Sequence, residues 1–405
     1  MNFSKALIPH GRLSELVAGK VVEDYRPPQI GPTRLVILQP TSFCNIDCSY
    51  CYVPDRNIKG LMPMNVLAQV MDRLVDETLL GSRCTVVWHA GEPLAAGKRY
   101  MEEAFTLVRS KLDGRTKLQL TIQTNATLID EEWVALFRRF KVRIGVSLDG
   151  PQWLHDMHRK DRKGRGSFEA TLRGLHLLQT GCIENYVLAV VTGHTLPVAQ
   201  EFYDFFASVG VTDLGLIPEE VDGVNLHSSL EGAEALSGFC GFVDDLHRAY
   251  LAGSRKPEIR EFRGVREALF YTEPIVSAQN NKSTVYNILT VSRDGAFTSF
   301  SPELSGMLDA FGNDYSFGNI LVDSLRGSVD TPKFRRFYMD FMRGVDRCMA
   351  ECDWFSLCGG GLPSNKLAEF GRLDISETMS CKLHLQVFTE TVLLHYNKIL
   401  EVNHD

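Results

Sequence analysis

At 405 residues, 44% hydrophobic and 23% charged, the chain has the composition of a soluble globular protein. It is long enough for two or three domains and for a core that needs no disulfides. A formal net charge of −7 supplies no global basic field for phosphates, so nucleic acid is not an expected partner. No apolar run reaches the ~18 residues of a membrane span, and the N-terminus lacks a signal peptide's apolar segment. The expectation is a cytoplasmic protein with no membrane partner.

Residues 1–33 end in a Pro- and Gly-rich stretch and read as an N-terminal arm. Strand-like and helix-like segments then alternate. Strands are expected at 34–40, 84–93, 117–127, 142–150, 185–192 and 213–220. Helices are expected between them at 64–80, 98–112, 130–140, 167–180 and 197–210. Six strands separated by five helices imply a parallel sheet wound by right-handed crossovers. The fold class is therefore α/β, a partial (β/α)6 TIM barrel over 34–230, open on one side. Asn125, Ser147, Asp149, Glu219 and Glu220 fall at or just after strand ends, where β/α barrels place their active sites. A helical bridge is expected over 231–283, with helices at 232–254 and 258–271. A β-hairpin at 285–300 turns at Asp294-Gly295. It opens a C-terminal domain over 284–383, and a last helix occupies 384–405.

Seven of the ten cysteines fall into two groups. In a reducing compartment, clustered cysteines read as metal ligands rather than disulfides. Cys84, Cys182 and Cys240 stand alone and read as small buried apolar residues. Cys44, Cys48 and Cys51 follow the first strand in a Cys-x3-Cys-x2-Cys loop. Three thiolates can hold three irons of a [4Fe–4S] cube and leave the fourth iron open. A structural zinc site wants four ligands, and a fourth would have to come from elsewhere, His89 being one candidate. Cys348, Cys352, Cys358 and Cys381 form the second group, with three glycines after Cys358. Four thiolates close either a zinc site or an iron–sulfur cube, and spacing does not separate the two.

The loop of three cysteines resembles the signature of the radical SAM superfamily. The resemblance implies a cluster whose open iron binds S-adenosylmethionine (SAM) and cleaves it to a 5′-deoxyadenosyl radical. It also implies a one-electron donor such as a flavodoxin or ferredoxin. Tyr50, the aromatic residue before the last cysteine, is then expected near adenine. WHAGEPL (88–94) resembles the family's Gly-Gly-Glu-Pro motif, so Ala90, Gly91, Glu92 and Pro93 are expected at the SAM amino group, with Ala90 replacing a glycine. QTNAT (123–127) and SLDG (147–150) resemble the segments that set Asn125 and Ser147 toward SAM. The stretch 151–168 resembles that of radical SAM peptide maturases, in which Arg159 would reach the SAM carboxylate. Its other charges read either as a solvated basic loop or as a surface for an acidic peptide.

The second cysteine group resembles the latter half of a SPASM domain, which implies an auxiliary [4Fe–4S] cluster. Serines stand where a full SPASM domain has a further cysteine, at Ser299 or Ser301, which implies one auxiliary cluster rather than two. CGGGLPSNKLAEFGRLDISETMSC (358–381) and IPEEVDGVN (217–225) resemble the cyclophane-forming radical SAM/SPASM maturases. These join a Cβ to an aromatic ring within a ribosomally made precursor peptide. Glu219 or Glu220 is the expected catalytic base. The competing expectations are thioether formation, epimerisation or sulfatase-type maturation on the same scaffold, or a zinc-stabilised binding protein.

Overall fold

The computed structural model describes residues 27–270, 283–309 and 311–402. Most of the expected arm over 1–33, and the end of the bridge over 231–283, lie outside them. Six parallel strands follow the expected alternation: β1 (Thr33–Leu38), β2 (Leu80–Trp88), β3 (Lys117–Thr124), β4 (Val142–Ser147), β5 (Asn185–Val191) and β6 (Asp213–Pro218). The helices between them are α1 (Met64–Asp76), α2 (Lys98–Leu112), α3 (Glu131–Phe140), α4 (Gln152–His158), α5 (Phe168–Thr180) and α6 (Ala199–Ser208). In α1, Val66, Leu67, Val70, Met71 and Leu74 are buried, the one-faced spacing that seats a helix on a sheet. Asp130 caps α3 by accepting a hydrogen bond from the Trp133 N–H at 2.9 Å, satisfying a donor that the helix leaves free.

The sheet is larger than six strands. A two-residue strand β7 (Glu258–Ile259) joins β6 in parallel, just ahead of α8 (Arg260–Phe270). The chain reaches it through α7 (Gly232–Ala252). At the opposite edge, the expected hairpin forms as β8 (Ile288–Val291) and β9 (Ala296–Ser299). β8 runs parallel to β1, Leu35 opposite Ile288. β10 (Gly318–Asn319) closes the order β10-β9-β8-β1-β2-β3-β4-β5-β6-β7. The hairpin thus continues the barrel wall.

Three further helices carry the C-terminal region: α9 (Pro332–Glu351), α10 (Pro363–Phe370) and α11 (Val387–Val402). The first two, like α4, were not expected from the sequence. α9 begins with Thr331 as cap and Pro332 at its first position, and buries Phe334, Phe337, Phe341, Val345 and Cys348 on one stripe. That stripe carries Cys348 inward at the helix end. Two isolated cysteines correct the expectation of burial. Cys84 is buried, but Cys182 and Cys240 are exposed. Cys182 occupies a left-handed turn just after α5, with φ of 53°, and Cys240 lies on the outer side of α7.

Candidate active site

The C-terminal ends of β1 to β6 open on one cavity. It is lined by Cys44, Cys48, Cys51, Tyr50, Ala90, Gly91, Glu92, Asn125, Ser147, Arg159, Glu219 and Glu220. Every first-group candidate except Pro93 therefore faces one space; Pro93 is buried beside it at the start of a 3-10 turn.

The cysteine loop is held from outside by the 158–162 segment. The Asp47 N–H donates to the Lys160 carbonyl at 2.7 Å and the Ser49 N–H to the His158 carbonyl at 3.1 Å. Arg162 Nε donates to the Cys44 carbonyl at 3.0 Å. Part of the expected solvated basic loop is therefore structural, while Lys160, Lys163 and Arg165 are exposed. Burial pushes the Cys44 thiol up to about 12 and that of Cys48 to about 11. Bound iron would supply the positive charge that the buried thiolates lack. Arg159 Nη1 points at Cys48 Sγ from 3.7 Å and Asn125 Nδ2 at Cys44 Sγ from 3.9 Å, placements that donors to cluster sulfur require. Among the described residues no three His, Cys, Asp or Glu side chains converge as ligands of a single metal ion. A cube does not ask for that, because each thiolate takes a different iron. His89 does not join the loop: its Nε2 meets the Tyr52 hydroxyl at 3.0 Å, and burial pulls it down to about 4.

The segment after β2 is built for backbone contact. Ala90 and Gly91 both take the left-handed conformation, with φ of 66° and 63°. A Cβ on Gly91 would stand 2.8 Å from the Phe43 carbonyl oxygen, so only glycine lets this turn rest on the cysteine loop. Glu92 is 1% exposed. It accepts from the N–H groups of Leu94 and Asn125, each at 2.9 Å, and from Thr124 Oγ1 at 2.7 Å. Burial nevertheless pushes its carboxyl up to about 7. Such a site wants a cation, which the SAM amino group would supply. The Asn125 amide donates to Asn45 Oδ1 at 2.9 Å, and Ser147 accepts from Gln123 Nε2 at 3.0 Å.

Asp149, noted only for its place at a strand end, organises the opposite wall. It is 2% exposed. It accepts from Arg159 Nε at 2.8 Å, from the Val190 N–H at 3.0 Å and from the Tyr50 hydroxyl. Burial would raise its pKa, but the Arg159 guanidinium and then His155 outweigh it and hold the carboxyl below its ordinary value. The Arg159 guanidinium also lies over the Tyr50 ring, 5.4 Å from its centre.

The two expected bases have different surroundings. Glu219 accepts from the Ser229 N–H at 2.8 Å and from the Ser229 hydroxyl, turned toward the following loop. Glu220 Oε1 accepts from Asn365 Nδ2 at 3.1 Å and from the Ser380 hydroxyl, with His384 Nε2 at 3.1 Å. Two carboxylates not singled out by the sequence share the cavity: Asp222, from the loop after β6, and Glu303, from the turn after β9. Neither oxygen of the buried Asp222 carboxylate has a hydrogen-bond partner among the described residues. Burial raises the pKa of both; repulsion from Glu303 and then Glu220 adds to it at Asp222, and repulsion from Glu220 adds to it at Glu303. Their positions, inside IPEEVDGVN and two residues after Ser301, are the available signal.

The second cysteine group assembles at the ends of helices. Cys348 closes the last turn of α9, Cys352 caps it, and Cys358 and Cys381 end one-turn helices. Gly359, Gly360 and Gly361 all have positive φ, and the Gly360 N–H donates to Cys358 Sγ at 3.4 Å. Thr378 Oγ1 lies 3.1 Å from Cys381 Sγ. The side chain of Lys366, from α10, is fully buried, with Nζ 3.7 Å from Cys348 Sγ. Four thiols, inward N–H and O–H donors and a buried cation fit a four-thiolate, negatively charged centre. Ser299 and Ser301 have protein partners: Ser299 Oγ accepts from the Tyr286 N–H at 2.8 Å, and Ser301 donates to Ser364 Oγ at 2.9 Å.

A family model described as the radical SAM superfamily matches residues 38–206. An uncharacterised protein of Synechocystis, sll1766, is 38% identical over 378 residues, covering 92% of this chain and 94% of its own length. A cysteine-type anaerobic sulfatase-maturating enzyme of Clostridium perfringens is 28% identical over 82% of this chain and 88% of its own. Among solved structures, anSMEcpe with bound AdoMet superposes with a TM-score of 0.74 at 24% identity, covering 91% of this chain and 95% of that one. Streptococcus suis SuiB bound to the precursor peptide SuiA superposes with a TM-score of 0.63 at 14% identity, over 86% and 76%. These two likenesses concern the fold. No helix among the described residues is long and apolar enough to cross a membrane.

Proposed function

Because this chain belongs to the radical SAM superfamily, and so works with a [4Fe–4S] cluster and SAM, we propose that it is a peptide maturase. In this reading it joins a Cβ of a ribosomally made precursor to the ring of a nearby Trp, Phe, Tyr or His. When bound, the cluster and SAM supply a 5′-deoxyadenosyl radical, and one auxiliary [4Fe–4S] cluster on Cys348, Cys352, Cys358 and Cys381 supplies an electron acceptor. The peptide loses a hydrogen atom from Cβ, the carbon radical adds to the ring, and the ring gives up one electron and one proton. The net change is the loss of two hydrogens and the gain of one carbon–carbon bond.

The chain's own part is to hold the reactants, exclude water and take the proton. The carboxylates of Asp222, Glu303 and Glu220 are crowded at the cavity wall. Like charges so close do not all ionise, so the group shares protons near neutrality and one member is free to accept another. Glu303 is the proposed acceptor, with Asp222 as its proton-sharing neighbour. Glu220 is committed to Asn365, Ser380 and His384, and Glu219 to Ser229. Both therefore serve as positioning residues, which moves the role away from the pair expected from the sequence.

One observation carries the peptide-maturase reading. The 358–381 segment completes the second cysteine group and also sends Asn365 and Ser380 to Glu220 on the cavity wall. A one-electron acceptor held there would lie against the substrate space. The hydrogen bonds that Ser299 and Ser301 make to Tyr286 and Ser364 support a single auxiliary site.

The test is anaerobic incubation of the reconstituted enzyme with SAM, reductant and a short peptide encoded beside its gene. A loss of two hydrogens with a Cβ-to-ring bond in the fragment spectrum is the expected result. A second reading, formylglycine formation, is favoured by the relatives named sulfatase-maturating enzymes. It predicts an aldehyde on a Cys- or Ser-containing sulfatase peptide instead. Unchanged mass with an inverted residue would point to epimerisation.

A further inference from the structure

We propose that Lys366 is the buried counter-charge of the second cysteine group and raises the reduction potential of the auxiliary centre. The proposal rests on the reading of Cys348, Cys352, Cys358 and Cys381 as ligands of one [4Fe–4S] cluster. Lys366 is 0% exposed, and a buried ammonium needs an anion. Among the described residues no carboxylate pairs with it; its Nζ hydrogen-bonds Cys348 Sγ at 3.7 Å and sits over the Phe341 ring, 5.6 Å from its centre. As cluster ligands, Cys381 and Cys358 would be its next anionic neighbours.

The fold makes room for this cation. Gly344 faces it from α9, and a Cβ there would stand 2.2 Å from the Leu373 carbonyl oxygen, 2.8 Å from Lys366 Nζ and 2.9 Å from the Ile375 carbonyl oxygen. The one glycine of α9, one turn before Cys348, lets the 373–375 backbone and the Lys366 ammonium both close on the helix. Two helices therefore cooperate to bring a fixed positive charge to the thiolates.

The direction of the effect follows from charge. A [4Fe–4S] cube with four thiolates is an anion, and reduction adds one more negative charge. A fixed cation in a poorly screened site stabilises the reduced form more than the oxidised one. The centre becomes a better electron acceptor, as removal of an electron from a cross-linked ring requires. Lys366 is thus a positioning residue that acts through the centre and not on the peptide.

The experiment uses the full chain carrying Cys44→Ala, Cys48→Ala and Cys51→Ala, so that only the second group can hold iron. Iron is counted and the midpoint potential is followed by electron paramagnetic resonance. With Lys366 native, about four irons are expected; zinc or no metal overturns the cluster reading and the proposal with it. Lys366→Met and Lys366→Gln are then expected to keep the iron at a more negative potential, while Lys366→Arg stays near the native value. Failure of both neutral variants to load, with Lys366→Arg loading normally, also supports the counter-charge. Full iron at an unchanged potential in the neutral variants overturns it and leaves the cluster intact. So does an Arg variant that shifts as far as Met, or a failure of all three to load.

Discussion

Asp149→Asn is the substitution whose consequence can be followed furthest. The carboxylate is 2% exposed and takes three donors: Arg159 Nε, the Val190 N–H and the Tyr50 hydroxyl. An asparagine keeps the shape but removes the charge, leaving Arg159, itself 8% exposed, with Cys48 Sγ at 3.7 Å as a weak partner. Removing one member of a buried ion pair costs about 3–5 kcal/mol, mostly through the uncompensated charge left behind. Arg159→Met should cost about the same, since it strands Asp149. The double variant Asp149→Asn/Arg159→Met should recover much of the loss, with a coupling of roughly 2 kcal/mol or more. Urea unfolding of the four chains without cofactor, at neutral pH, reads all three numbers. Single variants within about 1 kcal/mol of the native chain, or a double variant equal to the sum of the singles, would refute the argument that this pair is a desolvated unit.

Three further outcomes follow from the same cavity. Ala90→Gly should stabilise the chain by up to about 1 kcal/mol, because an L residue at φ of 66° gives up about 1–2 kcal/mol and glycine returns part of that gain as unfolded-state entropy; a clear loss in the urea midpoint would count against it. Glu92 has a folded-state pKa raised from 4.5 to about 7, so the cofactor-free chain should lose stability as pH climbs through that window. The full loss is about 3 kcal/mol, and Glu92→Gln should flatten the profile between those pH values; an unchanged slope would refute it. Glu303→Gln should lower cross-linked product by roughly 100-fold or more while 5′-deoxyadenosine still forms, and equal loss of both products would place Glu303 upstream of the proton transfer.

The sequence made the frame readable because both of its signals are local. Apolar residues at helical and strand periods mark the alternation of β1 to β6 with their helices, and the cysteine spacings mark where metal chemistry belongs. Strand ends then predict which side chains share the cavity, and Asn125, Ser147 and Glu220 do share it. What stayed hidden depends on contacts across the fold. The nine residues between Asp149 and Arg159 pass through α4, a helix that periodicity does not mark, and the pairing of Asp149 with Arg159 exists only once α4 folds back. Asp222 and Glu303 lie far apart in the chain, and nothing in either segment shows that the hairpin extends β1 and brings them together. α9 differs, since Phe334, Phe337, Phe341, Val345 and Cys348 do repeat at helical spacing; the cysteine is both a candidate ligand and the last member of an apolar stripe. That double membership joins the two halves of the site. The stripe seats α9 in the core and fixes Cys348, Gly344 admits Lys366 beside it, and α10, which carries Lys366, also carries Asn365 to Glu220. One short helix therefore touches both the second cysteine group and the carboxylates of the cavity, so in the proposed reaction electron removal and proton removal would be positioned by the same element.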